Sequence, residues 1–146
     1  MKSIYLIGSL RNPKIPLFSQ SLRKLGFDVF DSWYAPGPKA DLYWRAYTKL
    51  RGLSYKEALA DYSAQHIFDF DLKHLNRCDL GVLLMPAGKS ARMELGYLRG
   101  QGKRVYMLFE SEPARPDVMD LFASDIYFDK QELFVQLRKE RDDTSF

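Results

Sequence analysis

Apolar positions along the chain fall into two alternating kinds of stretch. Unbroken apolar runs occur in "SIYLIG" (3–8), "LGVLLM" (80–85) and "KRVYMLF" (103–109), and "DIYF" (125–128) is a shorter one. In "FDVFDSW", Phe27, Val29 and Asp31 alternate with their neighbours as a strand requires. Between these runs the period changes to that of a helix. Leu17, Phe18, Ser21, Leu22 and Leu25 share a helical face that Gly26 ends, and Ala64, Ile67, Phe68, Leu72 and Leu75 predict the apolar side of a helix across 60–77. A further helix is predicted over 90–101, closed by Gly100 and Gly102, and "KQELFVQLRKERDD" reads as an amphipathic closing helix with a solvated charged tail.

Strands that are apolar throughout and alternate with helices predict a parallel sheet covered on both faces. The expected fold is α/β: a single domain over 1–146 with a doubly wound five-stranded parallel sheet of flavodoxin/Rossmann-like order 2-1-3-4-5. Residues 32–62, which open on a Pro/Gly turn and are rich in aromatic side chains, break the alternation and predict an inserted lid. In such sheets ligands bind beyond the carboxyl ends of the strands where the order reverses. Here that crevice would lie between the loops "GSLRNP" and "PAGKSARMELG".

Composition narrows the picture. The chain has 146 residues, of which 46% are hydrophobic, enough for one core without staples. Its 22 basic and 19 acidic residues are interspersed and leave a net charge of +3, too mild for a nucleic-acid polymer but compatible with a small anion held by a few converging cations. The lone Cys78 abuts an apolar run, which points to a buried structural thiol and a reducing, cytoplasmic setting. The amino terminus reads as a first strand rather than a signal peptide, and no run approaches the ~20 apolar residues of a membrane span. His66 and His74 share a helix without other ligands at metal-binding spacing, so neither a metal nor another cofactor is expected.

The candidate chemistry sits in three places. In "GSLR", Gly8 permits a tight turn, Ser9 offers a hydroxyl and Arg11 a planar fork suited to an oxyanion. Taken alone, these residues read better as a strand-to-loop turn with an exposed arginine. In "PAGKSARMELG", Gly88 allows close approach of a ligand, Ser90 is a natural helix N-cap, and Glu94 is expected about one turn in, where the helix dipole favours its ionised, nucleophilic form. Gly96, inside the helix, calls for a reason such as tight packing. In "FDFDLKHLNRCD", Asp69 and Asp71 point in different directions, so at most one faces the crevice; Asp71 is also spaced to pair with His74, and Asp79 to cap the next strand.

These motifs, in their order and spacing from "IYLIGSLR" to "FDFDLKHLNRCDLGVLLMPAGKSARMELGYLRGQGKRVYML", resemble the nucleoside 2-deoxyribosyltransferase superfamily, including its 2′-deoxynucleoside 5′-phosphate N-hydrolase and CMP N-glycosidase branches. The resemblance implies that Glu94 is a nucleophile toward the sugar C1′, that Asp71 acts at the leaving base and that Tyr5 positions the nucleophile. It implies a 5′-phosphate clasp at Ser9 and Arg11, with Gly8, Gly88 and Ser90 in the same pocket. The segment "DSWYAPGPKADLYW" departs from the hydrolases in being longer and more aromatic; its Trp33, Tyr34 and Trp44 are candidates to stack on a base, and equally to pack on the core. Hydrolases of this kind often carry serine at the position of Gly88; Ser124 is a loose counterpart of a phosphate serine lent by a neighbouring subunit, and "RDDTSF" has no clear match to terminal residues lent in some transferases.

What the resemblance implies is a cytoplasmic, cofactor-free homodimer or larger homo-oligomer that cleaves the N-glycosidic bond of a nucleoside or its 5′-monophosphate through a glycosyl-Glu94 intermediate. Water would make it a hydrolase and a second base a transferase. The alternative is a nucleotide-sensing module of the same fold that binds without cleaving.

Overall fold

In the computed structural model, which describes residues 1–144, the strands β1 (Ser3–Ile7), β2 (Asp28–Phe30), β3 (Leu80–Leu84), β4 (Arg104–Leu108) and β5 (Asp125–Tyr127) form one sheet of order β2-β1-β3-β4-β5. All four neighbouring pairs run parallel, as the continuous apolar runs require. Ile4 and Leu6 of β1 face a layer formed by α1 (Ile15–Lys24) and α6 (Lys130–Asp142). Tyr5 and Ile7 face the opposite layer, α4 (Tyr62–Arg77) and α5 (Lys89–Gly100). A strand's period of two therefore already decides which layer each side chain of β1 meets.

Several local choices set the frame. Gly26, at φ 104°, ends α1 in the left-handed conformation, as the sequence indicates. Asp79 ties the start of β3 to β1, its Oδ2 accepting from the Ser3 amide at 2.8 Å. Gly81 has no room for a side chain, since a Cβ there would lie 2.7 Å from Leu98 and 3.2 Å from Val105. Its absence lets α5 settle onto β3. The Cys78 thiol is buried, donates to the Leu75 carbonyl, and has its pKa raised by that burial.

The insertion consists of a short 3-10 turn (Ser32–Tyr34), α2 (Ala40–Leu50) and α3 (Tyr55–Ala60). Ser54 caps α3 with a reciprocal capping box to Glu57. In α2 only Thr48 is buried.

Three expectations are corrected. The apolar side of α4 is not core: Ile67 and Phe68 are 55% and 62% exposed, Ala64 and Leu72 are half-buried, and Leu75 alone is buried. The 16 residues of α4 span about 24 Å, whereas five-residue β3 spans about 17 Å. The helix therefore overhangs the carboxyl edge of the sheet by more than one turn. The tail of α6 is not simply solvated either: Glu140 is 3% exposed and accepts from Tyr106 and, at 2.7 Å, from Arg104. Finally, a Cβ at Gly96 would meet nothing within 4 Å, so tight packing does not explain this glycine. Gly96→Ala is expected to stabilise the fold by about 0.5–1 kcal/mol, raising Tm by roughly 2–3 °C in thermal unfolding followed by circular dichroism. A lower Tm would reveal a contact at this position that the isolated chain does not make.

Candidate active site

The centre of the site is a tyrosine–carboxylate pair. Tyr5, 1% exposed on β1, donates from its hydroxyl to Glu94 Oε2 at 2.7 Å. The other carboxylate oxygen makes no hydrogen bond among the described residues. Glu94 lies six residues into α5, in the second turn, because the helix starts at Lys89 rather than Ser90. The expectation that the helix dipole keeps it ionised is therefore corrected, since that field fades within the first turn. Burial instead pushes its pKa up to about 7, opposed by the Tyr5 hydrogen bond and reinforced by the charge of Asp71. Tyr5 is itself held far from ionisation, by burial and then by the negative charge of Glu94, so it acts as a donor only.

Asp71 is the second carboxylate, half-buried on α4. Burial raises its pKa to about 6. It makes no hydrogen bond to His74. That imidazole stacks on Phe30 with centroids 3.9 Å apart and accepts at Nδ1 from Arg77. Phe30 also packs on Tyr5 at 5.0 Å and Phe70 at 5.6 Å, so one aromatic group braces β1, β2 and α4. Asp69 is exposed, in line with the expectation that at most one of the two aspartates faces inward.

Beyond the sheet's carboxyl edge, the two loops singled out in the sequence do meet. They line a cleft of about 430 Å³ that includes Ser9, Arg11, Asn12, Lys14, Gly88 and Glu110. The Ser9 hydroxyl accepts from the Arg11 amide at 3.1 Å, forming the turn. Gly8 is required for space rather than for a special φ, because a Cβ there would lie 2.6 Å from Ile15 and 3.3 Å from Trp33. At Gly88 the position of a Cβ is open, so this glycine answers to no packing constraint of the fold. Gly88 is also the N-cap of α5, with no side-chain cap on the helix amides.

Ser90 is thus not the cap. It is exposed and lies outside the residues lining the cleft. Trp33 is committed to structure: its indole donates at 2.8 Å to the Leu6 carbonyl, which lies past the last β2 pairing partner of β1. Tyr34 packs against the α1/α6 layer, the face opposite to Tyr5 and Glu94, so the structure does not bring it to the carboxylates. Trp44 is half-buried on α2. Ser124 serves β4 at its amino end, accepting from the Val105 amide at 3.0 Å, far from the cleft at the carboxyl end. Of the terminal "RDDTSF", Ser145 and Phe146 lie outside the described residues.

Three polar residues that line the cleft, Asn12, Lys14 and Glu110, escaped the sequence reading, as did Asp41, the partner of Arg11. Lys14 is ion-paired with Glu110, and Arg11 with Asp41 at 3.0 Å. Asn12 is 6% exposed; its Oδ1 accepts from the Lys14 amide at 3.0 Å, while its buried Nδ2 has no partner among the described residues. The "NPK" run after Arg11 carries a turn signal that marks Asn12 and Lys14 as loop residues. Asp41 and Glu110 carry no such signal, being separated from the loop by 30 and about 100 residues.

No protein-family model and no curated protein matches the chain. Solved structures do share its fold. It is similar to the 2-deoxyribosyltransferase of the psychrotolerant bacterium Bacillus psychrosaccharolyticus, at 18% identity and a TM-score of 0.60 over 93% of this chain and 90% of that one. It is similar to a conserved protein from Enterococcus faecalis V583, at 14% identity and a TM-score of 0.66 over 96% and 99%. A third is the Clostridium botulinum CMP N-glycosidase BcmB, at 16% identity and a TM-score of 0.54 over 93% and 98%. At these identities the common property is the fold.

Proposed function

We propose that the protein cleaves the N-glycosidic bond of a nucleoside 5′-monophosphate, or of a nucleoside, by covalent catalysis. One observation carries this reading: a carboxylate gripped through one oxygen by a buried tyrosine, with a second, desolvated carboxyl near enough to raise its pKa. None of the three side chains lines the cleft itself, which is formed mainly by the loop after β1, the strand of Tyr5, and the loop after β3 that leads into the helix of Glu94. That a 2-deoxyribosyltransferase and a CMP N-glycosidase have the same fold supports the proposal.

The free oxygen of Glu94 bonds to C1′ as the C1′–N bond breaks and its electron pair leaves with the base. Asp71 gives its proton to the departing base. Water or a second base, in either case giving its proton to Asp71, then attacks C1′ and releases the Glu94 carboxylate, so the anomeric configuration is retained, as in two-carboxylate glycosidases. Tyr5 positions Glu94 and stabilises its charge. Ser9, Arg11 and the uncapped amides at Gly88 bind the 5′-phosphate, and residues 32–62 form a lid whose exclusion of water selects hydrolysis or transfer. No cofactor takes part.

No helix among the described residues is long and apolar enough to cross a membrane. A homo-oligomer fits the exposed apolar surface of α4, where Ile67 and Phe68 are more than half exposed in one copy.

The test is chromatography of ribo- and deoxyribonucleosides and their 5′-monophosphates after incubation with the protein, with and without an added free base. Free base released from monophosphates in preference to nucleosides is the expected result. A new nucleoside formed only with the added base would make it a transferase. Binding without any turnover would replace the catalytic reading with a sensing one.

A further inference from the structure

Both cations of the cleft already hold carboxylates. Arg11 donates from Nη2 to both oxygens of Asp41 at 3.0 Å, and Lys14 is paired with Glu110. Asp41 does not come from the clasp loops: it stands in the first turn of α2, part of the inserted segment. Arg11 thereby tethers α2, a helix that buries only one residue, to the loop after β1.

The pair is placed so that it can be exchanged. The side chains of Arg11 and Asp41 are 54% and 29% exposed, so water and ions reach both, unlike a buried pair that would be a fixed part of the fold. Arg45, one turn further along α2, lies 3.6 Å from Asp41 on the same carboxylate. If Arg11 is taken, Asp41 keeps a partner. A phosphate dianion brings more charge and a third acceptor oxygen to the guanidinium than a carboxylate does. An unphosphorylated ligand brings nothing that replaces Asp41.

We propose that Asp41 is a specificity-determining residue of this cleft: it occupies Arg11 until the phosphate of a nucleoside monophosphate replaces it, and that exchange frees α2. This rests on the reading of Ser9 and Arg11 as a phosphate clasp. Ligand affinity therefore contains a penalty for displacing Asp41 that falls on phosphorylated ligands alone.

Equilibrium binding of cytidine 5′-monophosphate and cytidine, with Glu94→Gln in the background to prevent turnover, tests the exchange. Asp41→Asn is expected to tighten the monophosphate about two- to fivefold, the range that loss of an exposed competing ion pair supplies, with cytidine unchanged. Asp41→Ala should do the same, and circular dichroism verifies the fold of each variant. Hydrogen exchange of the amides in 40–50 is expected to quicken with the monophosphate and not with cytidine. Arg11→Ala is the separate control on the clasp. If it weakens both ligands equally, the clasp reading itself fails. If it weakens only the monophosphate while Asp41→Asn leaves that ligand unchanged or weaker, the clasp stands and the exchange is overturned, with Asp41 merely orienting Arg11.

Discussion

Glu94→Gln is expected to lower turnover of any substrate found in the nucleoside and nucleotide panel by about 10³-fold or more, while leaving the ligand's Kd within a few fold. The amide cannot form the bond to C1′. It still accepts from Tyr5, so the geometry of the site survives the change. The same substitution should stabilise the protein. Burial raises the Glu94 pKa from an ordinary 4.5 to about 7, so the folded state binds the proton more tightly than the unfolded chain does. Stability is then lost as pH rises from about 4.5 to about 7, because the folded state must give up a proton it holds more tightly. A shift of this size amounts to about 3 kcal/mol at pH 8, and glutamine has no charge to bury. A higher Tm at pH 8 together with lost turnover identifies a carboxylate kept for chemistry at the expense of the fold. Unchanged turnover would remove Glu94 from the mechanism.

The second large effect concerns the proton shared by the two carboxyls. With Asp71 near 6 and Glu94 near 7, the pair holds one proton between those values. The proposed reaction needs Glu94 ionised and Asp71 protonated, which is a one-proton state. The pH profile of kcat/KM should therefore be a bell that rises to about 6 and falls beyond about 7. In Asp71→Asn the requirement for a proton disappears, and so does the negative charge that pushes Glu94 upward. The profile should become a single rise, set by Glu94 at a pKa lower than in the parent protein, with turnover reduced by about 10²–10⁴-fold. A descending limb that persists in Asp71→Asn would assign the proton donor to another group.

Burial and the Tyr5 hydrogen bond act on Glu94 in opposite directions, the first favouring the proton and the second the ionised carboxylate. On Asp71 burial acts alone, and it is what allows that carboxyl group to keep a proton near neutral pH.

Much of this was legible in the order of residues. Runs such as "LGVLL", apolar at every position, have no polar face to leave in water and so require a parallel strand covered on both sides. The alternation of such runs with helices leads to the sheet order and places the loops after Ile7 and Leu84 at one edge. The family resemblance pointed to Tyr5, Glu94 and Asp71 through short motifs, and a strand's period of two sends Tyr5 to the layer that holds α5, where it meets Glu94.

The packing of distant segments settled the rest. The face that α4 turns to the core follows from the stacking of His74 on Phe30 and from a helix longer than the strands beneath it, neither of which is a periodicity of its own sequence. The charge state of Glu94 depends on how deeply α5 settles over Gly81, and depth is a property of two elements in contact, so burial outweighed the helix dipole that the local sequence suggests. Trp33, a candidate for base stacking in the sequence, anchors its indole N–H on the Leu6 carbonyl, because β2 ends too early to satisfy it. The pairing of Arg11 with Asp41 lay furthest from the sequence. Electrostatic attraction acts across space, and chain separation carries no record of which charges a fold will bring within 3.0 Å.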